Sequence, residues 1–204
     1  ATATQPPTPN TPGTAPTASS TTASTALATV KYGQLTPPSV SDSPTLWVPS
    51  GAIALGTDVT ASQDRAVAMG IVSRATGLDA VAIGTRANAS AADATALGSG
   101  GTDAATAVRA SGTGSVALGG NTTAGANAAG TNAIAIGGES SATQTEAIAM
   151  GRLATASALN AIAVGSNARA DSAEAVAIGT NATATGARAV SIGSGNVESG
   201  NGAV

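Results

Sequence analysis

A five-residue phrase of alternating small and branched residues recurs along most of the chain and ends each time in glycine. Its clearest copy, Ala-Val-Ala-Ile-Gly, spans 175–179. The glycines that end the copies are Gly56, Gly70, Gly84, Gly98, Gly119, Gly137, Gly151, Gly165, Gly179 and Gly193. Successive intervals are 14, 14, 14, 21, 18, 14, 14, 14 and 14 residues. This fixed period predicts a repeat architecture in which each period forms one coil.

The alternation within the phrase has a period of two, which predicts a β-strand. Alanine-richness alone would favour a helix, but the bulky positions are mostly β-branched and glycine returns too often for long helices. The positions predicted to lie in the core or at a subunit interface are the branched residues Val81, Ile83, Ile134, Ile136, Ile162, Val164, Val176 and Ile178.

Neither face of this strand is polar, because branched residues occupy one face and alanines the other. We expect one face to fill the coil and the other to meet a second copy of the chain. Leaving some twenty branched side chains in water would forgo about 1.5–3 kcal/mol each, which a marginally stable domain does not tolerate. The branched residues are therefore predicted to be buried, with the alanine-rich surfaces abutting across subunits.

Small residues also recur three and five positions after the repeat glycine, as Ala168 and Ala170 do after Gly165. They predict a second, shorter strand whose intervening polar residues face outward. Fourteen residues then make one flattened coil with two strands and two turns. Ten such coils, at a strand spacing of about 4.8 Å, form a stack of roughly 45 to 50 Å.

The two long intervals predict insertions in the turns. The seven extra residues are placed between Asp103 and Gly114. The four extra residues are placed between Gly125 and Asn132, because 121–124 resembles the short strand at 181–184. Insertions in solenoids form loops, often on one binding face. The candidate ligand contacts are Asp103, Arg109, Asn121 and Asn127; neutral drift in a surface turn is the alternative.

A polar corner follows nine positions after most repeat glycines. A solvated rim is the expected role of these residues, with weak ion pairs between neighbouring coils. The corner residues are Arg65, Asp79, Asp93, Glu146, Asn160, Glu174 and Arg188.

The amino-acid composition argues against several classes of function. Aromatic residues make up 1% of the chain and Phe is absent, so a conventional core of large side chains is not possible. Cys and His are also absent, which removes the usual nucleophile, general base and soft metal ligands. We predict no enzyme activity, no cofactor and no metal.

A net charge of −3 without a basic cluster argues against nucleic-acid binding, and no apolar run is long enough for direct membrane insertion.

Outside the repeats the composition changes. Residues 1–29 are predicted to be a Pro/Thr/Ser/Ala-rich linker, and residues 30–50, with Tyr32 and Trp47, a capping segment. The repeats fill 51–195, and 196–204 is predicted to be a tail that leads to further passenger modules. The chain begins without a signal-peptide pattern, so an exported form is expected to be a fragment of a longer chain.

The phrase and its spacing, as in Asn-Ala-Ile-Ala-Val-Gly-Ser-Asn-Ala at 160–168, resemble the head repeats of YadA-like trimeric autotransporter adhesins over about residues 51–193. The resemblance implies a left-handed parallel β-roll assembled as a side-by-side homotrimer. It also implies exposure at the outer membrane of a Gram-negative bacterium and a role in virulence. Its expected activity is multivalent, non-catalytic attachment to host cells or extracellular-matrix proteins.

Two other functions fit the repeats. A purely structural spacer in a surface-exposed fibre agrees equally well with plain repeats and low charge. Ice binding by a flat threonine face is disfavoured, because Arg74, Asn88, Ser141 and Arg169 interrupt the column that contains Thr60, Thr155 and Thr183.

Overall fold

The computed structural model describes residues 50–103 and 105–204. The predictions for the linker and for residues 30–49 of the cap lie outside the described residues. The described chain forms a parallel β-solenoid of ten coils, each contributing one strand to each of two ten-stranded sheets. The predicted all-β solenoid with coils of about 14 residues is confirmed.

Each coil contains a longer strand formed by the repeat phrase and a shorter strand after the glycine. The longer strands are β1 Ile53–Thr57, β3 Val67–Ile71, β5 Val81–Ile83, β7 Thr95–Leu97, β9 Val116–Leu118, β11 Ile134–Ile136, β13 Ile148–Met150, β15 Ile162–Val164, β17 Val176–Ile178 and β19 Val190–Ile192. The shorter strands are β2 Thr60–Ala61, β4 Arg74–Ala75, β6 Asn88–Ala89, β8 Arg109–Ala110, β10 Asn127–Ala128, β12 Ser141–Ala142, β14 Thr155–Ala156, β16 Arg169–Ala170, β18 Thr183–Ala184 and β20 Val197–Glu198.

Equivalent positions of successive coils stack in register. Strands β15 and β17 pair Ile162 with Val176 and Ala163 with Ala177. In the other sheet, β16 and β18 pair Ala170 with Ala184. Each repeat position therefore forms a column along the solenoid, with neighbouring residues of a column about 4.8 Å apart.

The core of the solenoid consists of alanine, which corrects the sequence prediction. Ala163 and Ala177 are completely buried, whereas Ile178 is 39% exposed and Ile192 is 60% exposed. The buried hydrophobic and polar side chains of the described residues are thirty alanines, four serines and Val108. The prediction that branched side chains fill the coil and alanines face other subunits was wrong.

The physical reason is that both sheets turn their small residues inward, and methyl groups from the two sides already fill the narrow interior. Val108 is the one buried hydrophobic side chain larger than alanine among the described residues, and its surroundings show how narrow the interior is. It is fully buried, next to Gly125 of the following coil, where an added Cβ would lie 2.5 Å from Val108 Cγ2. A larger side chain thus fits where the adjacent coil has none.

Tight turns with a left-handed residue close the coils. In the turn from Gly165 to Ala168, the Ala168 N–H donates to the Gly165 carbonyl over 3.3 Å, and Asn167 has φ 56°. A left-handed third residue is the geometry of a type II turn. The predicted polar corner has the same conformation, with φ between 56° and 60° at Arg65, Asp79, Asp93, Glu146, Asn160, Glu174 and Arg188.

The glycine that ends each phrase is required by a close approach of the backbone. Gly165 has φ 135°, and a Cβ there would lie 2.4 Å from the carbonyl oxygen of Gly179 in the next coil. Any other residue would meet both strain and a backbone clash.

Both insertions lie in the same type of turn, between the repeat glycine and the short strand. Strand β8 begins 11 residues after Gly98 and β10 begins 8 residues after Gly119, whereas β6 begins 4 residues after Gly84. The predicted placements at 103–114 and 125–132 are therefore corrected to about 98–107 and 119–126. Asn121 starts a local turn instead of a strand, because its side-chain Oδ1 accepts hydrogen bonds from the Thr123 and Ala124 N–H groups, both over 2.8 Å.

The solenoid continues past residue 195, where the sequence predicted a tail. Strand β20 pairs with β18, and the Val190 N–H donates to the Ala203 carbonyl over 2.7 Å. Residues 196–204 thus supply the second half of the tenth coil.

Candidate binding surfaces

A long apolar surface is formed by the outward side chains of the longer strands, and we call it the apolar stripe. It has two columns, and 19 of its 20 members are apolar. The first column is Ile53, Val67, Val81, Thr95, Val116, Ile134, Ile148, Ile162, Val176 and Val190; the second is Leu55, Met69, Ile83, Leu97, Leu118, Ile136, Met150, Val164, Ile178 and Ile192. Every one of them is half-buried or exposed.

The stripe runs along all ten coils, so its members form one continuous surface. Contiguous apolar patches of this kind are unusual on soluble monomers and mark sites of association. The eight positions predicted for the core or interface all lie on it, namely Val81, Ile83, Ile134, Ile136, Ile162, Val164, Val176 and Ile178. They line the outside of the coil and not its interior.

The outward side of the shorter strands is polar. Arg109 and Asn127 are neighbours in this sheet, with Asn88 on the other side of Arg109. All three are half-buried, while the following alanine of each strand points into the core. Two of the four candidate ligand contacts are therefore adjacent members of one column.

The two insertions stack on one another and form what we call the insertion shelf, residues 98–103, 105–107 and 119–126. The Gly101 N–H donates to the Asn121 carbonyl over 3.2 Å, and the Gly125 N–H donates to the Thr106 carbonyl over 2.8 Å. A shallow concavity of about 460 Å³ opens at the shelf, lined by Thr85, Ser99, Gly100, Gly101, Gly120, Asn121 and Thr122. Its lining offers hydroxyl, amide and backbone groups.

Asn121 is held in place on both sides of its amide. Its Nδ2 donates to Glu139 Oε1 over 2.7 Å, while Oδ1 accepts the two N–H groups of its own turn. Glu139 was not identified from the sequence. It occupies an ordinary turn position in its own coil and meets Asn121 only because the coils stack, so no local signal marks it.

Asp103 lies at the exposed end of the shelf. Its Oδ1 accepts hydrogen bonds from the N–H groups of Ala105 and Thr106 and from Thr106 Oγ1, each over 2.9 Å. These bonds, with Thr106 making the largest contribution, lower the pKa of the Asp103 carboxyl. The carboxylate is thus a fixed anion that stabilises its own loop. The structure brings Asn121 into the concavity but leaves Asp103 outside its lining.

A separate charged contact lies at the polar corner. Arg65 Nη2 donates to Asp79 Oδ2 over 2.6 Å, between residues one coil apart. The hydrogen bond from Arg65 holds the pKa of the Asp79 carboxyl below its ordinary value. Arg65 is exposed and Asp79 is half-buried, so water screens the pair, which tightens a turn without forming a reactive site.

The described part of the chain contains no cluster of three side chains able to hold a metal ion. It also includes no helical segment with the length and apolarity that a bilayer crossing requires. What the surfaces offer is association along the stripe and polar contacts at the shelf.

These features define a repeat protein, a parallel β-solenoid with an alanine core and an outward apolar sheet face. The YadA head domain repeat family matches residues 50–71, 75–100, 110–140, 128–152, 142–168 and 170–196. The chain belongs to this family, and the resemblance drawn from the sequence is confirmed. Residues 101–109, which no repeat matches, coincide with most of the first insertion. No curated protein matches the chain.

Membership gives the general function. The family is a non-enzymatic adhesin family, and its heads belong to surface-exposed trimeric autotransporters. Adhesion is therefore the class of function to which the chain belongs.

Proposed function

We propose that the chain is the head of a homotrimeric adhesin on a bacterial cell surface, attaching the cell to host cells or extracellular-matrix proteins. The apolar stripe is the observation that carries the proposal. Nineteen outward apolar side chains along ten coils are poorly suited to water, and each gains about 25 cal/mol for every Å² that association removes from solvent. The partner that matches an extended, ten-coil repeat surface is the same surface on another copy.

In this arrangement three solenoids lie side by side in a left-handed β-roll trimer, with their stripes facing one another. The short-strand sheet and the insertion shelf then remain available for a ligand. Three identical copies of a weak site raise the overall avidity without any new type of contact.

Within the proposed trimer, the insertion shelf is the candidate receptor site. It interrupts the otherwise regular surface, and its concavity presents polar groups that are held by hydrogen bonds on the neighbouring coil. Asn121 lines the concavity directly, whereas Arg109 and Asn127 extend the polar surface beside it along the short-strand sheet. Asp103 supports the loop.

A binding experiment tests this assignment. The purified head is assayed against a panel of matrix proteins and cultured host cells, together with a Thr122→Arg variant that places a bulky cation at the concavity. Thr180→Arg is the matched control, because Thr180 is also an exposed threonine in a turn after a repeat glycine. We expect Thr122→Arg to lose binding and the control to retain it, with unchanged melting in both.

Equal binding by the two variants would remove the shelf from the receptor site. A folded, trimeric head that binds no member of the panel would favour the alternative function, a rigid spacer. That alternative is supported by the regularity of the coils outside the shelf, where each layer repeats the one below.

A further inference from the structure

The apolar stripe poses a problem of register between copies. Its members are so similar from coil to coil that sliding one chain by a single coil, about 4.8 Å, preserves almost every apolar contact. Strands that are uniform along their length specify pairing register only weakly. A trimer built on this surface needs a feature that distinguishes one coil from the next.

Thr95 is the one polar residue among the 20 members of the stripe, all of which lie in the described residues. It stands in β7 between Val81 and Val116 of the adjacent coils, and its side chain points outward because Ala96 is completely buried. Threonine has nearly the shape of valine. The stripe therefore keeps its contour at this layer and changes only in carrying a hydroxyl.

Thr95 is half-buried, and its hydroxyl takes part in none of the side-chain hydrogen bonds found among the described residues. A hydroxyl buried at an interface needs a partner, since leaving it without one costs its full desolvation. Each hydroxyl can donate one hydrogen bond and accept others. Three copies in register bring three Thr95 side chains to the same height, where the hydroxyls satisfy one another directly or through a shared water.

A copy shifted by one coil loses this arrangement. Its Thr95 faces the layer of Val81 or Val116, which can neither donate nor accept. A single polar position inside an apolar interface sets register in the same way in coiled coils. We infer that Thr95 specifies the register of the three copies, an inference that rests on the proposed trimer.

Methyl NMR of the assembled head tests the inference, because a threefold-symmetric trimer in one register gives one set of Ile, Leu and Val methyl resonances. Thr95→Val is expected to keep the trimer and split the single set into two or more. Thr95→Ser, which retains the hydroxyl, is the matched control and keeps one set. The double variant Val81→Thr/Thr95→Val moves the polar layer by one coil and is expected to restore one set.

The outcomes separate the inference from the proposed function. Sedimentation that finds wild-type monomers overturns both. A wild-type trimer whose Thr95→Val variant still gives one set overturns the inference alone, and so does a double variant that remains split.

Discussion

Two serines in the alanine core allow a direct test of how tightly that core is organised. Ser73 and Ser115 are completely buried, and neither Oγ has a hydrogen-bond partner among the described residues. Their positions in other coils are mainly occupied by alanine, such as Ala87 and Ala94. Replacing either serine by alanine removes a buried hydroxyl without a partner and leaves the methyl-sized space occupied.

The size of the expected gain in stability follows from the missing hydrogen bond of each buried hydroxyl. An unsatisfied buried polar group costs about 1–3 kcal/mol. In a chain of this length each kcal/mol moves the melting temperature by about 2–4 °C. Ser73→Ala and Ser115→Ala are each expected to raise it by at least about 2 °C, and the two changes should add because the sites lie three coils apart.

Ser140 provides the matched control, since it holds the same repeat position as Ser73. It is also completely buried, but its Oγ donates to the Gly137 carbonyl over 2.7 Å. Ser140→Ala therefore removes a formed hydrogen bond, and we expect no gain in stability or a loss of about 1 kcal/mol. Thermal unfolding at one fixed chain concentration measures all three variants. If Ser73→Ala and Ser140→Ala shifted the melting temperature equally, the reasoning from hydrogen-bond satisfaction would be refuted.

Four further outcomes follow from the fold. Val72 is β-branched with φ 58°, so Val72→Asn is expected to stabilise the head by about 1 kcal/mol in thermal unfolding, and a loss would contradict the strain argument. Gly165→Ala places a Cβ against the Gly179 carbonyl and should destabilise the head by about 3 kcal/mol or more, whereas Gly195→Ala, with no atom within 4 Å of its Cβ, should cost less in the same assay. The depressed pKa of Asp79 means that the stabilisation from its bond to Arg65 is complete above the ordinary aspartate pKa and is lost as pH falls through the lowered value. As the pH is lowered, the melting temperature should therefore fall more in the wild type than in Asp79→Asn. Parallel plots of melting temperature against pH would contradict a stabilising Arg65–Asp79 bond. Ile148→Asp on the stripe should yield monomers by sedimentation, while Thr155→Asp on the polar sheet should not, and a trimeric Ile148→Asp variant would remove the stripe from the interface.

The period of the sequence was sufficient to predict the longer strands and their register. The recurring glycine and the alternation around it identify every coil, and the structure stacks equivalent positions such as Ile162 and Val176. The prediction succeeded for a physical reason. A parallel stack requires the same residue type at the same height, so the periodicity in the sequence is the periodicity in space.

The assignment of faces failed because it assumed that larger apolar side chains always occupy a core. A 14-residue coil is too narrow for this, because methyl groups from its two sheets already fill the interior. A usable signal was present, since the inward middle position of the long strand admits only Ala and, once, Ser191, whereas the outward position of Met69 and Ile83 accepts residues of several shapes. Restriction to small residues marks the crowded side.

The insertions were misplaced because Asn121 begins a motif that looks like a short strand. Its side-chain Oδ1 instead accepts hydrogen bonds from two N–H groups of its own turn, and the short strand begins only at Asn127. The contact with Glu139 and the lining by Thr85 depend on stacking across coils of unequal length. Such contacts are fixed by the three-dimensional register and have no counterpart in local sequence.

Alanines fill the solenoid and the branched residues lie outside, where we propose that other copies of the chain cover them. The oligomeric state of the wild-type chain tests this most directly. Sedimentation equilibrium at micromolar chain concentration is expected to give three times the mass of one chain, with no folded monomer. A stably folded monomer at that concentration would show that the apolar stripe tolerates water and would contradict the proposed trimer.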